Sequence, residues 1–283
     1  MPYYSIISQI TEPAKKRGLN IGKSVIIDEA EYLEIDRDTL IEKMSNQLTV
    51  MRKAWEDASK EDVISNLFKA DAYKVKKGIE DGLIPDDLLS RTVQKAIAIN
   101  GWNSLKGKIV ATPTGGSSGI LPAVLLSAQE EWGYRDDQLV EAMFTAGAFG
   151  IPIAINGTLS GSKGGCQAEC GSAAAMTAAA LTDLRGGTPD QSANAFAIAA
   201  KSSLGLICDP IGDVAVPCVK RNGTYSAIAL ASSSMAICGV ESMIRPDEMV
   251  KVFCDVSLSI TKCYNRAKGA VGIQCSPTGQ RYK

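Results

Sequence analysis

Along residues 39–58 the apolar positions are Leu40, Ile41, Met44, Leu48, Met51 and Trp55. Steps of three and four place them on one helix face, so the spacing predicts an amphipathic helix there, with Thr39 and Glu42 forming its capping box. Residues 69–87 carry Lys74, Lys76, Lys77, Glu80, Asp81, Asp86 and Asp87, mixed in sign and punctuated by Gly78, Gly82 and Pro85. That is the pattern of a solvated face and a turn. Strict alternation is scarce, and residues 24–35 are the best strand candidate. Past residue 100 the composition shifts: Gly, Ala, Ser and Thr dominate residues 112–184 and 192–238. After the stop at Gly186-Gly187, Thr188, Pro189 and Gln191 supply a cap, a first-turn proline and a capping-box partner for an Ala-rich helix. Pro246, Asp247 and Glu248 open another helix in the same way. No internal repeat is visible, and the strands that an α/β sheet requires are missing. The pattern predicts a mostly α fold: one compact helical domain over residues 1–283, with an N-terminal helical portion (1–100) and a second portion (101–283) rich in Gly/Ser loops.

Composition narrows the chemistry. The 283 residues are 45% apolar and 22% charged, with a formal net charge of −1. This excludes a polyelectrolyte tail and the basic footprint of a nucleic-acid binder. There is no histidine, so this chain by itself holds no Ser-His-Asp or Cys-His catalytic set and no His-ligated zinc. The N-terminal stretch lacks a basic leader pattern, and apolar runs are interrupted, as by Lys201, Ser202 and Ser203. A soluble cytoplasmic protein without a membrane segment is the expectation. In that compartment the eight cysteines are thiols, core fillers or metal ligands.

Three cysteines fall in segments that read as loops: Gly164-Gly165-Cys166-Gln167, Cys208-Asp209-Pro210 and Pro217-Cys218-Val219. Such backbone suits thiolates holding iron and sulfide, yet the spacing is no Cys-x-x-Cys pattern, and buried thiols doing nothing but packing fit it too. Cys238 and Cys254 lie in helical runs and read as core, whereas Cys170 and Cys263 are ambiguous. Thr112-Pro113-Thr114-Gly115-Gly116-Ser117-Ser118-Gly119 leads into an apolar helix. It reads either as an anion cradle or as a tight turn between packed helices. It lacks the Gly-Lys-Ser/Thr ending of a nucleotide phosphate loop. A third polar loop runs from Asn156 through Ser160 to Lys163 and feeds into Cys166.

The stretches Ala111-Thr-Pro-Thr-Gly-Gly-Ser-Ser-Gly-Ile-Leu-Pro-Ala-Val-Leu125, Phe144-Thr-Ala-Gly-Ala-Phe-Gly150, Gly164-Gly-Cys-Gln-Ala-Glu-Cys-Gly-Ser-Ala173, Leu204-Gly-Leu-Ile-Cys-Asp-Pro210 and Val216-Pro-Cys-Val-Lys-Arg-Asn222 resemble, in order, the α chain of iron–sulfur-dependent L-serine dehydratases. The resemblance runs from about residue 40 to the C-terminus and is strongest over residues 110–222. It implies a largely helical catalytic unit and a [4Fe-4S] cluster on Cys166, Cys208 and Cys218, with one iron left open to the substrate hydroxyl. It also implies β-elimination of L-serine or a related β-substituted amino acid to a 2-oxo acid and ammonia. By carry-over, Thr112, Thr114, Ser117, Ser118, Asn156 and Ser160 would hold the substrate. The family further implies a smaller β chain as partner and an oligomer.

No base is evident; Lys163, Lys220 and Lys268 are the candidates, with Arg221 balancing cluster charge. Departures from the family pattern occur at residues 66–72, after Cys208, and at Arg266-Ala267-Lys268-Gly269, with Cys275 a candidate fourth ligand. Lys69 and Lys268 would suit a longer or more anionic substrate, and L-cysteine is a further alternative. Two rival readings are a pyridoxal-phosphate lyase with Lys163 as Schiff base and a non-catalytic iron–sulfur subunit or sensor.

Overall fold

The computed structural model describes residues 4–66, 70–207 and 216–263. Its elements there are helices, with no strand among the described residues. The N-terminal part runs α1 (Ser8–Arg17), α2 (Ile21–Leu33), α3 (Arg37–Ala58), the short α4 (Glu61–Ile64), α5 (Asp71–Glu80) and α6 (Leu88–Ser104). The second part has α7 (Ile120–Trp132), α8 (Asp136–Asn156), α9 (Gly161–Cys166), α10 (Ser172–Leu184), α11 (Pro189–Lys201), α12 (Val216–Ile237) and α13 (Pro246–Cys263).

The expected strand is α2. Its buried positions are Ile21, Gly22, Ser24, Val25, Ile26, Glu29 and Ala30, one face in steps of three and four, and the Asn20 side chain accepts the Lys23 N–H at 2.9 Å as N-cap. Ala30 and Tyr32 about Glu31, and Leu33 and Ile35 about Glu34, mimicked alternation. The start of α3 is also corrected. Asp36 is the cap, accepting the Thr39 N–H at 2.8 Å and the Thr39 hydroxyl at 2.6 Å, so Thr39 is the donor and not the cap. Both helix starts read on the C-terminal side fare better. Thr188 and Gln191 exchange reciprocal bonds of 3.2 and 2.8 Å with Pro189 at the first turn, and α13 opens at Pro246. The charged stretch forms α5 and the turn after it, with Lys76 and Lys77 paired to Glu61 and Glu80 at the surface.

The architecture is a layered bundle around α10. Every residue of α10 from Ser172 to Asp183 is buried, and α7, α8, α11 and α12 pack around it. Alanine dominates its sequence, so neighbouring backbones come close. One contiguous apolar core draws residues from Tyr4 to Cys254, from both sides of the composition shift. Helix α8 is long and apolar enough to span a membrane, yet 67% of its apolar window is buried inside the molecule, so core packing accounts for its composition.

The C-terminal end of α10 seats the N-terminus of α2. Asp183, 3% exposed, accepts the Ile21 and Gly22 N–H groups at 3.0 and 3.1 Å and the Thr145 hydroxyl at 2.7 Å. Unpaired N–H groups at a helix start favour such a carboxylate.

Candidate functional site

The site forms where the N-terminal end of α10, the start of α12 and the loop before α7 meet. After Thr112, residues Gly115–Ser117 make one turn of 3-10 helix. Three asparagines hold it. Asn100 and Asn103 of α6 donate to the Gly115 carbonyl at 3.1 and 2.8 Å, and Asn100 also reaches Gly116. Asn222 of α12, fully buried, accepts the Gly119 N–H at 3.0 Å and donates to the Gly116 carbonyl at 2.8 Å and the Cys218 carbonyl at 2.9 Å. Gly119 packs against the Ala96 carbonyl so closely that a Cβ there would collide with it.

The segment carrying Cys166 is helical and not the expected loop. Gly165 takes a positive φ of 70° inside α9, so the glycine pair makes a kink, and Cys166 leads into a π-helical turn over Gln167–Gly171 that runs on into α10. Cys218 likewise sits in the first turn of α12, where Pro217 is tolerated because the first N–H groups have no intrahelical acceptor. Cys208 lies outside the described residues, as do Lys69, Lys268 and Cys275.

The π-turn brings thiols together. Cys170 shares a hydrogen bond with Cys166, and this bond is the leading reason its thiol is held well above the ordinary range, followed by burial and then the charges of Cys166, Glu169 and Cys218. Tyr225, one turn along α12 from Arg221, is pushed up to about 12 by burial, with Cys170 the next cause. Cys166 and Cys170 are buried and Cys218 half-buried. Among the described residues no group of three or more His, Cys, Asp or Glu side chains is arranged to hold a metal ion.

Two further ties converge here. Gln167 donates to the Phe253 carbonyl of α13 and accepts the Gly205 N–H, both at 2.7 Å, while its own N–H reaches the Leu206 carbonyl at 2.9 Å. Arg221 donates to the Ile207 carbonyl at 2.7 Å. The chain next to Cys208 is thereby fastened to residues adjoining both Cys166 and Cys218.

The candidate polar residues divide. Thr114 donates to Glu169 at 2.9 Å, Ser117 donates to the Thr112 carbonyl at 2.9 Å, and buried Ser118 receives Asn100 at 3.3 Å. The Thr112 hydroxyl is buried without a hydrogen-bond partner. Ser160 pairs with Ser162 at 2.8 Å and adjoins Gly161, which packs on the Glu169 carboxylate. Asn156 lies elsewhere: it donates to the Ser5 and Pro152 carbonyls at 2.7 and 2.8 Å, beside an open cavity of about 480 Å³ that also meets Asp247 and Cys254. Lys163 is exposed, and Lys220 turns to Asp71 of α5 at 2.8 Å. Of the two cysteines read as core, Cys254 is buried, whereas Cys238 is exposed just beyond the end of α12.

Sequence reading passed over Glu169, Gln167 and the asparagines, although Gln167, Glu169 and Asn222 stand inside the motifs it quoted. Their signal is a polar residue at a buried helical position, which needs a partner that only the fold reveals.

These features define a helical protein organised around a thiol centre faced by a Gly/Ser/Thr turn. A family model described as "Serine dehydratase alpha chain" matches residues 16–271, and the chain belongs to that family. It is 38% identical to the probable L-serine dehydratase alpha chain of Bacillus subtilis (strain 168) over 278 residues, 97% of this chain and 92% of that one. It is 34% identical to the L-serine dehydratase alpha chain of Peptoniphilus asaccharolyticus over 279 residues, covering 97% and 95% of the two chains. A match to the L-serine dehydratase TdcG of Escherichia coli (strain K12) is 40% identical over 144 residues, 50% of this chain and 32% of that one. The family match begins well before residue 40, so α2 belongs to the shared unit.

Proposed function

We infer that the chain is the α chain of an L-serine dehydratase that eliminates water from L-serine, the resulting enamine hydrolysing to a 2-oxo acid and ammonia. Its cofactor is a [4Fe-4S] cluster on Cys166, Cys208 and Cys218, and a β chain completes the enzyme. The observation that carries this reading is the convergence of thiols at the π-turn in a member of this family. Two observations support the donor set: Cys166 and Cys218 both act on the Cys170 thiol, and Arg221, three residues after Cys218, holds the carbonyl of Ile207, the residue before Cys208. When bound, such a cluster supplies a Lewis acid at an iron without a protein ligand, able to make hydroxide a workable leaving group.

The protein groups bind and orient. The Thr112 hydroxyl is a buried donor with no partner, a state that costs about 1–3 kcal/mol and that a substrate carboxylate would relieve. Asn100, Asn103 and Asn222 hold the turn that presents it, so little reorganisation accompanies binding. Buried Tyr225 and Ile120 pack with Cys170 in one apolar cluster behind the π-turn.

The alpha-chain names of the Bacillus subtilis and Peptoniphilus asaccharolyticus relatives support a second chain here. The test is anaerobic reconstitution followed by iron, sulfide and visible spectra, with oxo-acid formation from L-serine measured with and without the β chain. Wild type and Cys238→Ala are expected to carry about four irons and turn over, and Cys166→Ala, Cys208→Ala and Cys218→Ala to lose both. Full iron content in any of those three variants refutes the ligand set.

A further inference from the structure

We propose that Gln167 of the π-turn and Ser257 of α13 are positioning residues for Cys166, hanging the kinked turn that carries this thiol on α13 from both sides. The inference rests on the dehydratase reading above and adds what fixes the direction of one sulfur. Cys166 follows Gly165, whose φ of 70° and ψ of −174° break the helical path inside the six-residue α9. Glycine admits many backbone states. A hydrogen-bond ladder interrupted there does not by itself aim the Cys166 side chain.

Helix α13 supplies the missing constraint. The Ser257 hydroxyl donates to the Gly164 carbonyl at 3.2 Å, two residues before Cys166. One residue after Cys166, the Gln167 carboxamide donates to the Phe253 carbonyl and accepts the Gly205 N–H, both at 2.7 Å. Ser257 is 1% exposed and Gln167 fully buried, so water does not readily replace either bond once it is lost. Glycines let the two segments approach. A Cβ on Gly164 would collide with the Ser257 hydroxyl, and one on Gly171 would meet the Phe253 ring at 3.3 Å. Phe253 and Ser257 are four residues apart on α13, so the kink is held between two anchors on one helix face.

The experiment uses Gln167→Leu and Ser257→Ala, with Thr182→Val as control. The Thr182 hydroxyl is equally buried and bonds to the Ala178 carbonyl at 2.8 Å and to Ser233 at 3.0 Å, near the opposite end of α10. Two rates are read. Iodoacetamide labelling of Cys166 in reduced, metal-free protein, followed by mass spectrometry, reports local opening, and a chelator reports iron release from reconstituted protein. Both are expected to rise at least tenfold in Gln167→Leu and at least threefold in Ser257→Ala, and to stay within twofold of wild type in Thr182→Val. The visible spectrum of the loaded protein is expected to shift in the first two variants alone. If Thr182→Val matches them, general loosening explains the rates and the proposal is overturned. Unchanged labelling of Cys166 in both variants overturns it too. Should Gln167→Leu fail to fold by circular dichroism, Ser257→Ala decides against the same control. Wild type that takes up no iron would sink the dehydratase reading, and the labelling rates would still decide the role of these two residues.

Discussion

Removing the Asn222 carboxamide tests whether the site is held from α12. In Asn222→Ala the buried Gly119 N–H loses its acceptor, whereas the Gly116 carbonyl keeps Asn100 at 3.2 Å. One orphaned buried donor costs about 1–3 kcal/mol and the other two lost bonds about 1 kcal/mol each, so a loss of about 3–5 kcal/mol is expected. For 283 residues the entropy of unfolding is about 0.6 kcal/mol/K, which converts that loss into a fall in Tm of about 5–8 °C. Asn103→Ala is the control. It deletes one bond, to a Gly115 carbonyl that Asn100 also serves at 3.1 Å, and is expected to lower Tm by under about 2 °C. Both are read by calorimetry on reduced, metal-free protein, so that cluster content plays no part. If Asn222→Ala melts within about 1 °C of wild type, or no lower than Asn103→Ala, the clamp does not hold the turn and its assignment is wrong.

Three other perturbations follow from the structure. With the Cys254 thiol pushed up to about 11 by burial, about one molecule in a thousand is thiolate there at pH 8; iodoacetamide should modify exposed Cys238 long before Cys254, and equal rates by mass spectrometry would contradict the burial. Burial also raises the Asp183 carboxyl against the lowering effect of its hydrogen bonds. The folded chain thus holds that proton to higher pH than the unfolded one, and the stability this gives, full below about pH 4, is lost as pH rises through the folded value. The Tm gap between wild type and Asp183→Asn should therefore narrow from pH 4 to pH 6.5, and a widening gap would reverse the assignment. Lys220→Ala removes a surface pair with Asp71, so kcat should hold and stability should change by less than about 1 kcal/mol; a large fall in kcat would restore Lys220 to the chemistry.

What could be read from the chain was local. The period in α3, the reciprocal cap at Thr188 and Gln191, and the Gly/Ser/Thr turn before α7 are signals within a few residues of one another, and each stands in the structure. Residues 24–35 misled because Ala30 and Tyr32 flank Glu31, and Leu33 and Ile35 flank Glu34, which satisfies a period of two over a short window, and only the Asn20 cap and the buried face over residues 21–30 settle the helix. The glycines and prolines flanking Cys166 and Cys218 were read as loops, yet Gly165 makes a kink and Pro217 opens a helix, outcomes the same residues permit. The site's positioning groups escaped because their partners are distant: Gln167 meets Phe253 across 86 positions and Asn222 meets Gly119 across 103. No periodicity encodes such pairs. A buried amide announces only that it needs a partner somewhere.

Helix α10, enclosed on all sides, also governs where the chain tolerates a change of length. Inserting one residue in an α-helix turns everything beyond it by about 100° and shifts it by 1.5 Å. Inside α10 that would rotate Asp183, which seats the start of α2, relative to the thiols of the π-turn at the other end, and no solvent-facing side exists to absorb the rotation. The span from Cys166 to Asp183 therefore behaves as a measured interval between the thiols at one end and the seat of an N-terminal helix at the other. Insertions and deletions among relatives should fall elsewhere, in surface turns such as the one between α5 and α6, where exposed Leu83 marks chain that no other helix depends on for its register.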